Sequence, residues 1–221
     1  WSSKKGRSFM SSDKLVYAVL KGAVAAVALS LVGAGWLGLR LGPEAMIGHA
    51  YWNLSRAAGL VGYTLLWLSV VAGLLLSGRM ARSALSPKIT MQLHETLSGT
   101  ALAFGLFHPL ILLGDSFLKL SLAQILVPFA SPYQRLWVGA GQIGLALLTA
   151  IVLSSHWRRR LGNRMWRLLH KSAFVAYWLV LAHAIVVGSS STEPLITLFY
   201  AATATTVMWL TTTRILIREG R

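Results

Sequence analysis

Long apolar runs separated by short basic stretches set the pattern of this chain. A membrane-spanning helix needs about 20 mostly apolar residues. Six stretches meet that requirement: residues 15–39, 54–76, 89–113, 136–153, 168–187 and 195–216. Between the third and fourth, residues 115–132 mix Phe117, Leu118, Leu122, Ile125, Leu126 and Phe129 with Lys119 and Gln124. That stretch is too short and too polar to span, and it predicts an interfacial helix ended by Pro128 and Pro132. Residues 1–14, rich in Ser and Lys, read as a polar tail that does not begin at a natural Met; residues 15–217 read as one transmembrane domain and 218–221 as a short C-terminal tail. No internal repeat and no soluble domain is apparent. The expected fold class is an all-α membrane protein, a six-transmembrane-helix bundle with one interfacial helix.

Composition agrees with that pattern. Of 221 residues, 55% are hydrophobic and 12% charged, about half the charged fraction of an ordinary soluble domain. The 21 Lys and Arg against 6 Asp and Glu give a net charge of +15. A nucleic-acid partner would require a basic patch on a soluble face. Here the charges sit at the ends of apolar segments, where the positive-inside rule and anionic lipid account for them. One side of the membrane collects Lys4, Lys5, Arg7, Lys14, Arg79, Arg82, Lys88, the run Arg158, Arg159, Arg160, Arg164, Arg167 and Lys171, and then Arg214, Arg218 and Arg221. The other side holds Arg40, Arg56, Lys119 and Arg135 beside Glu44, Asp115 and Glu193. Both termini are therefore expected to be cytoplasmic, in a bacterial inner (cell) membrane. There are no cysteines, which excludes iron–sulfur clusters, thiolate-ligated haem, covalently attached haem and disulfides.

Four of the six histidines lie inside two apolar segments. His94 and His108 are fourteen residues apart in the third, and His170 and His183 thirteen apart in the fifth. A histidine within a bilayer is costly without a partner and points to function. A lone histidine in an apolar segment is most often a hydrogen-bonded packing residue. Four at matched depths on two helices that run in the same direction form a different pattern. Neutral imidazole is the standard axial ligand of haem iron. At 1.5 Å per residue the two levels are roughly 20 Å apart, which suits two haems, one per leaflet, each bridged between the helices. Rotation is less tidy. Fourteen residues return to within about 40° of the starting face, whereas thirteen miss by about 140°, so the fifth helix must bend, change its winding or reach the outer iron by side-chain rotamer. Pro109 gives the third helix a reason for distortion.

These residues resemble the ferric reductase-like transmembrane family, which includes ferric reductases, NADPH oxidases and the haem partner of periplasmic methionine sulfoxide reductase. The resemblance rests on HETLSGTALAFGLFH, from His94 to His108, and HKSAFVAYWLVLAH, from His170 to His183. The preceding RRRLGNRMWRLLH, with Trp166 ahead of the first histidine, is similar to that family as well. It implies a six-helix domain holding two haem b, with His94, His108, His170 and His183 as iron ligands. It also implies electron transfer from a cytoplasmic flavoprotein or membrane quinol to an external acceptor. Arg56, in NLSRAAG, matches an arginine near the outer haem of the oxidases, while Leu112 stands where they place a further histidine. Flavin-containing members continue into FAD and NADPH domains. This sequence stops at Arg221, so a membrane half that needs a partner is expected.

Other residues carry two readings each. Arg56 would pair with an outer haem propionate or mark a helix end. Arg164, Arg167 and Lys171 would meet inner propionates, or serve orientation alone. Gly99 and Gly105 would admit a porphyrin or pack helices. Glu95 would relay protons, bind a quinone or snorkel. His49 and His156 are expected not to be ligands. Trp36, Trp52, Trp137, Trp157 and Trp166 suit interfacial belts, and Gln142 has no assigned role. The competing function is a structural or cofactor-binding subunit of a larger respiratory or photosynthetic complex, with other membrane subunits as partners. A histidine-based carrier fits less well, because carriers usually show broken helices and internal repeats.

Overall fold

The computed structural model describes residues 47–78, 86–116, 118–189 and 191–219. The first expected span (15–39), the polar tail, Trp36 and the basic residues Arg79 and Arg82 lie outside these, as does the side chain of His49. Within them, the helices are α1 (Ile47–Gly78), α2 (Pro87–Leu110), α3 (Leu122–Leu126), α4 (Arg135–His156), α5 (Arg158–Leu161), α6 (Asn163–Lys171), α7 (Ala173–Val187) and α8 (Pro194–Glu219). There is no strand among the described residues. Five stretches are long and apolar enough to cross a membrane: Ala50–Ser77, Pro87–Gly114, Arg135–His156, Asn163–Val187 and Pro194–Leu216.

The boundaries follow from local chemistry. Ser86 starts α2 by accepting the Ile89 N–H at 3.3 Å, and Pro87 occupies the first turn, where its missing donor costs nothing. Pro109 lies in the last turn of α2, after which the chain tightens into a 3-10 turn over Ile111–Gly114. The expected interfacial helix over 115–132 shrinks to the five residues of α3. Asp115 accepts the Leu118 N–H at 2.8 Å, Lys119 and Phe129 adopt positive φ, and only the Ser121–Gln124 capping box nucleates helix. Gly162, at φ 77°, separates α5 from α6. The fifth expected span is broken at Ser172, whose N–H bonds to Leu169 O at 3.0 Å. That one tight turn lies between His170 and His183.

Two antiparallel pairs, α1 with α2 and α4 with α7, build the bundle, and α8 packs across α1. Its core joins Tyr63, Leu66 and Leu74 to Ala101, Leu102, Leu148, Tyr177, Leu181, Tyr200, Val207 and Leu210. A buried hydroxyl must find a partner or lose several kcal/mol. The Tyr63 hydroxyl bonds to Thr203 and lies 3.3 Å from that of Tyr177. The α8 face opposite carries Leu195 at 76%, Leu198 at 66% and Trp209 at 65% exposure. An apolar face that open belongs against lipid or another membrane protein rather than water.

Candidate functional site

The bundle brings the four intramembrane histidines together in two pairs. The rings of His94 and His170 have centroids 5.8 Å apart and planes at 73°, and those of His108 and His183 stand 6.1 Å apart at 77°. His94 and His108 come from α2, His170 from the end of α6 and His183 from α7. Between the last two lies the turn residue Ser172, at which α6 ends and α7 begins. A continuous helix would leave the second ring facing elsewhere.

Three of the four imidazoles are held by one repeated device. His108 Nδ1 donates to the Ser55 carbonyl at 2.7 Å, His94 Nδ1 to the Ser69 carbonyl at 2.8 Å, and His183 Nδ1 to the Trp137 carbonyl at 3.0 Å. A carbonyl can only accept, so each bond fixes the tautomer with the proton on Nδ1 and leaves the Nε2 lone pair for a ligand. Four residues after each carbonyl stands a glycine: Gly59, Gly73 and Gly141. A Cβ on Gly59 would lie 2.9 Å from His108 Nδ1, one on Gly73 3.2 Å from His94 Cε1, and one on Gly141 2.7 Å from His183 Nδ1. The missing side chain is what lets each ring reach the carbonyl one turn earlier. On α1 the device is a Ser-x3-Gly repeat, tied further by Ser55 Oγ donating to the His108 carbonyl at 2.8 Å and Ser69 Oγ to that of His94 at 3.4 Å. The repeat on α1 and the histidines on α2 share the fourteen-residue step, so an antiparallel pair meets itself twice.

His170 departs from this. Its Nδ1 is buried with no hydrogen-bond partner among the described residues. Its ring instead stacks on Trp166, with centroids 4.9 Å apart and planes at 21°. The Arg158 guanidinium lies 4.1 Å from the centroid of the Trp166 ring.

The spacing of the pairs suits a metal held from both sides. At the roughly 2.0–2.1 Å of a metal–imidazole bond, two opposed rings have centroids about 6 Å apart, close to the 5.8 and 6.1 Å observed. No cluster of three or more His, Cys, Asp or Glu side chains that would hold an ion exists among the described residues. Each pair brings two imidazoles to one another and no third side chain of these types. The His108–His183 pair opens into an apolar cavity of about 570 Å³, lined among others by Gly62, Leu66, Gly105, Leu145 and Val180. That volume is in the range of small-molecule and cofactor sites.

Other expected site residues fall in different places. Arg56 lines the outer cavity with His108 and His183. Arg164, Arg167 and Lys171 lie on the exposed side of α6. Gly105 packs against Leu145 and Gly62, and Gly99 faces open space, so the glycines that touch histidine are Gly59, Gly73 and Gly141 instead. Glu95 is exposed, and His156 is exposed and meets only the Val152 carbonyl of its own helix. Gln142 gains a structural role. Its amide donates to the carbonyls of Gln124 and Ile125, both at 2.7 Å, and accepts the Phe129 N–H at 3.1 Å. It pins the segment around α3 against α4, over the outer cavity. Ser55, Ser69, Trp137 and their glycines carry one sequence signal, an X-x3-Gly spacing on the helices flanking the histidines. No family model, curated protein or solved structure matches the chain.

Proposed function

We propose that the chain is a transmembrane electron-transfer protein that binds two haem b, one at the His94–His170 pair and one at the His108–His183 pair. The supporting observation is the matched spacing of two facing imidazole pairs at two depths, with three of the four rings fixed by carbonyls. Bound haem b supplies a one-electron iron couple. The protein's part is to hold the two sites in line and to set each couple through hydrogen bonding and burial. Ser55, Ser69 and Trp137 fix tautomer and ring direction through their carbonyls. Gly59, Gly73 and Gly141 give the rings room. The core around Tyr63, Leu66, Leu148 and Tyr200 keeps water from the space between levels. With both imidazoles of a pair holding it, the bound group would serve to pass electrons rather than to bind a further ligand. Arg56, in the outer cavity, is placed to meet a propionate or an acceptor.

This proposal includes the six-helix count, with the first span at 15–39, and both termini on the cytoplasmic side of a bacterial inner membrane. Membership of the ferric reductase-like family fits the same histidine pairs. The donor is a cytoplasmic flavoprotein or membrane quinol, and the acceptor is external. Electron transfer into vesicles tests the activity. The protein is reconstituted around trapped ferricyanide and given a reduced quinol outside. Bleaching of the trapped acceptor is expected, and its loss in His183→Leu. Bleaching no faster than in protein-free vesicles would contradict it.

A further inference from the structure

The two histidine pairs are not equivalent, and their difference has an electrochemical sign. This inference rests on the di-haem reading above. At the outer level both imidazoles donate from Nδ1 to a carbonyl, His108 to Ser55 and His183 to Trp137. At the inner level only His94 does so, to Ser69. A hydrogen bond from the far nitrogen makes an imidazole a more basic ligand. A more basic ligand favours the more positive, oxidised metal and lowers the reduction potential.

Among the described residues His170 Nδ1 has no such partner, and the sequence of α4 differs at its level. Carried thirteen residues along α4, the Trp137–His183 register reaches Ala150 level with His170, and four residues further stands Ser154 where the other three sites have glycine. The ring lies against Trp166 instead. Trp166 in turn carries the Arg158 guanidinium 4.1 Å from its ring centroid. A fixed cation near the site disfavours the oxidised, more positive state. The missing carbonyl and the Arg158 guanidinium therefore act in the same direction at this pair, while Arg56, in the cavity beside His108 and His183, opposes the difference from the other side.

We infer that the His94–His170 pair holds the higher-potential couple of the two, with the Arg158–Trp166 stack on His170 as the positioning element that raises it. The half-reaction is one electron added to a ferric centre to give a ferrous one, with no bond made or broken at the ligands. In half-reduced protein the electron resides at the cytoplasmic level. Onward transfer to the outer level then needs an acceptor, or a membrane potential negative inside, to draw it.

The test is a potentiometric titration of the purified haem-loaded protein, followed by its visible and low-spin EPR signals, beside His183→Leu and Arg158→Gln. The expected result is two one-electron steps, with the higher one surviving in His183→Leu. In Arg158→Gln, whose side chain is exposed, the higher step should shift to lower potential and narrow the gap. A survivor at the lower potential, two steps at one potential, or an unchanged gap in Arg158→Gln would overturn the inference while leaving two bound haems intact. Protein that binds no haem would instead remove the di-haem reading on which it stands.

Discussion

Replacing Gly141 with Ala tests the carbonyl device at a single atom. The new Cβ would stand 2.7 Å from His183 Nδ1, 2.8 Å from Cγ and 3.1 Å from Cε1. Ordinary non-bonded separation is about 3.5–4.0 Å, so the ring must retreat by roughly 0.8 Å. The Trp137 carbonyl lies 3.0 Å from Nδ1, and a retreat of that size carries the pair out of hydrogen-bonding range. It also exceeds the roughly 0.5 Å within which a site must be held. Losing an outer-shell partner of a metal-bound histidine typically costs 10–100-fold in affinity. Against this, Ala stabilises a helix over Gly by up to about 1 kcal/mol, so the bundle should remain folded. Gly99→Ala is the matched control, because a Cβ there meets nothing within 4 Å. The assay is haem content by pyridine haemochrome together with the low-spin spectrum, at equal folded protein. Gly141→Ala should lose or broaden the outer signal and keep the inner one, and Gly99→Ala should keep both. An unchanged outer haem in Gly141→Ala would refute the argument that the glycine makes room for the ring.

Three further outcomes follow from the same contacts. His108→Leu and His183→Leu should abolish the same spectral component, and His94→Leu and His170→Leu the other; a component shared by His108 and His170 would contradict the pairing. Gln142→Leu removes both donors to the carbonyls of Gln124 and Ile125, at about 1–3 kcal/mol for a buried group left unpaired. Hydrogen exchange across 122–134 should accelerate, and unchanged protection would show that the segment is held by other means. With a soluble flavoprotein as donor, the reduction rate should fall as salt rises, since the run of arginines from Arg158 to Arg167 would steer an acidic surface through a screened field; a salt-independent rate would leave those residues a role in orientation only.

Much of the scaffold is legible in the sequence because bilayer thickness sets a length that apolar runs must match. The second to sixth expected spans each fall inside one of the five membrane-length stretches, the fifth as two helices, while the first lies outside the described residues. The matched depths of the histidines are readable for the same reason. The segment 115–132 differs from its expected helix because its apolar residues give a period, while Asp115, the positive φ of Lys119 and Phe129, and the proline at 128 give the backbone other bonds. The glycines differ too. Gly99 and Gly105 stand between the histidines on their own helix, whereas the rings lean onto Gly59, Gly73 and Gly141 of the neighbouring helices. Such contacts depend on antiparallel register, which a single helix does not encode. The thirteen-residue spacing leaves a bend, a change of winding or a rotamer as ways to bring both rings round, and the one turn at Ser172 in that span is announced by no residue preference.

Quantification of haem in the purified, folded protein tests the central claim most directly. Pyridine haemochrome against protein mass, read with the EPR spectrum of the oxidised form, should give two b-type haems per chain, both six-coordinate and low-spin. Folded protein carrying no haem, or carrying it with an open, high-spin iron at either level, would contradict the account.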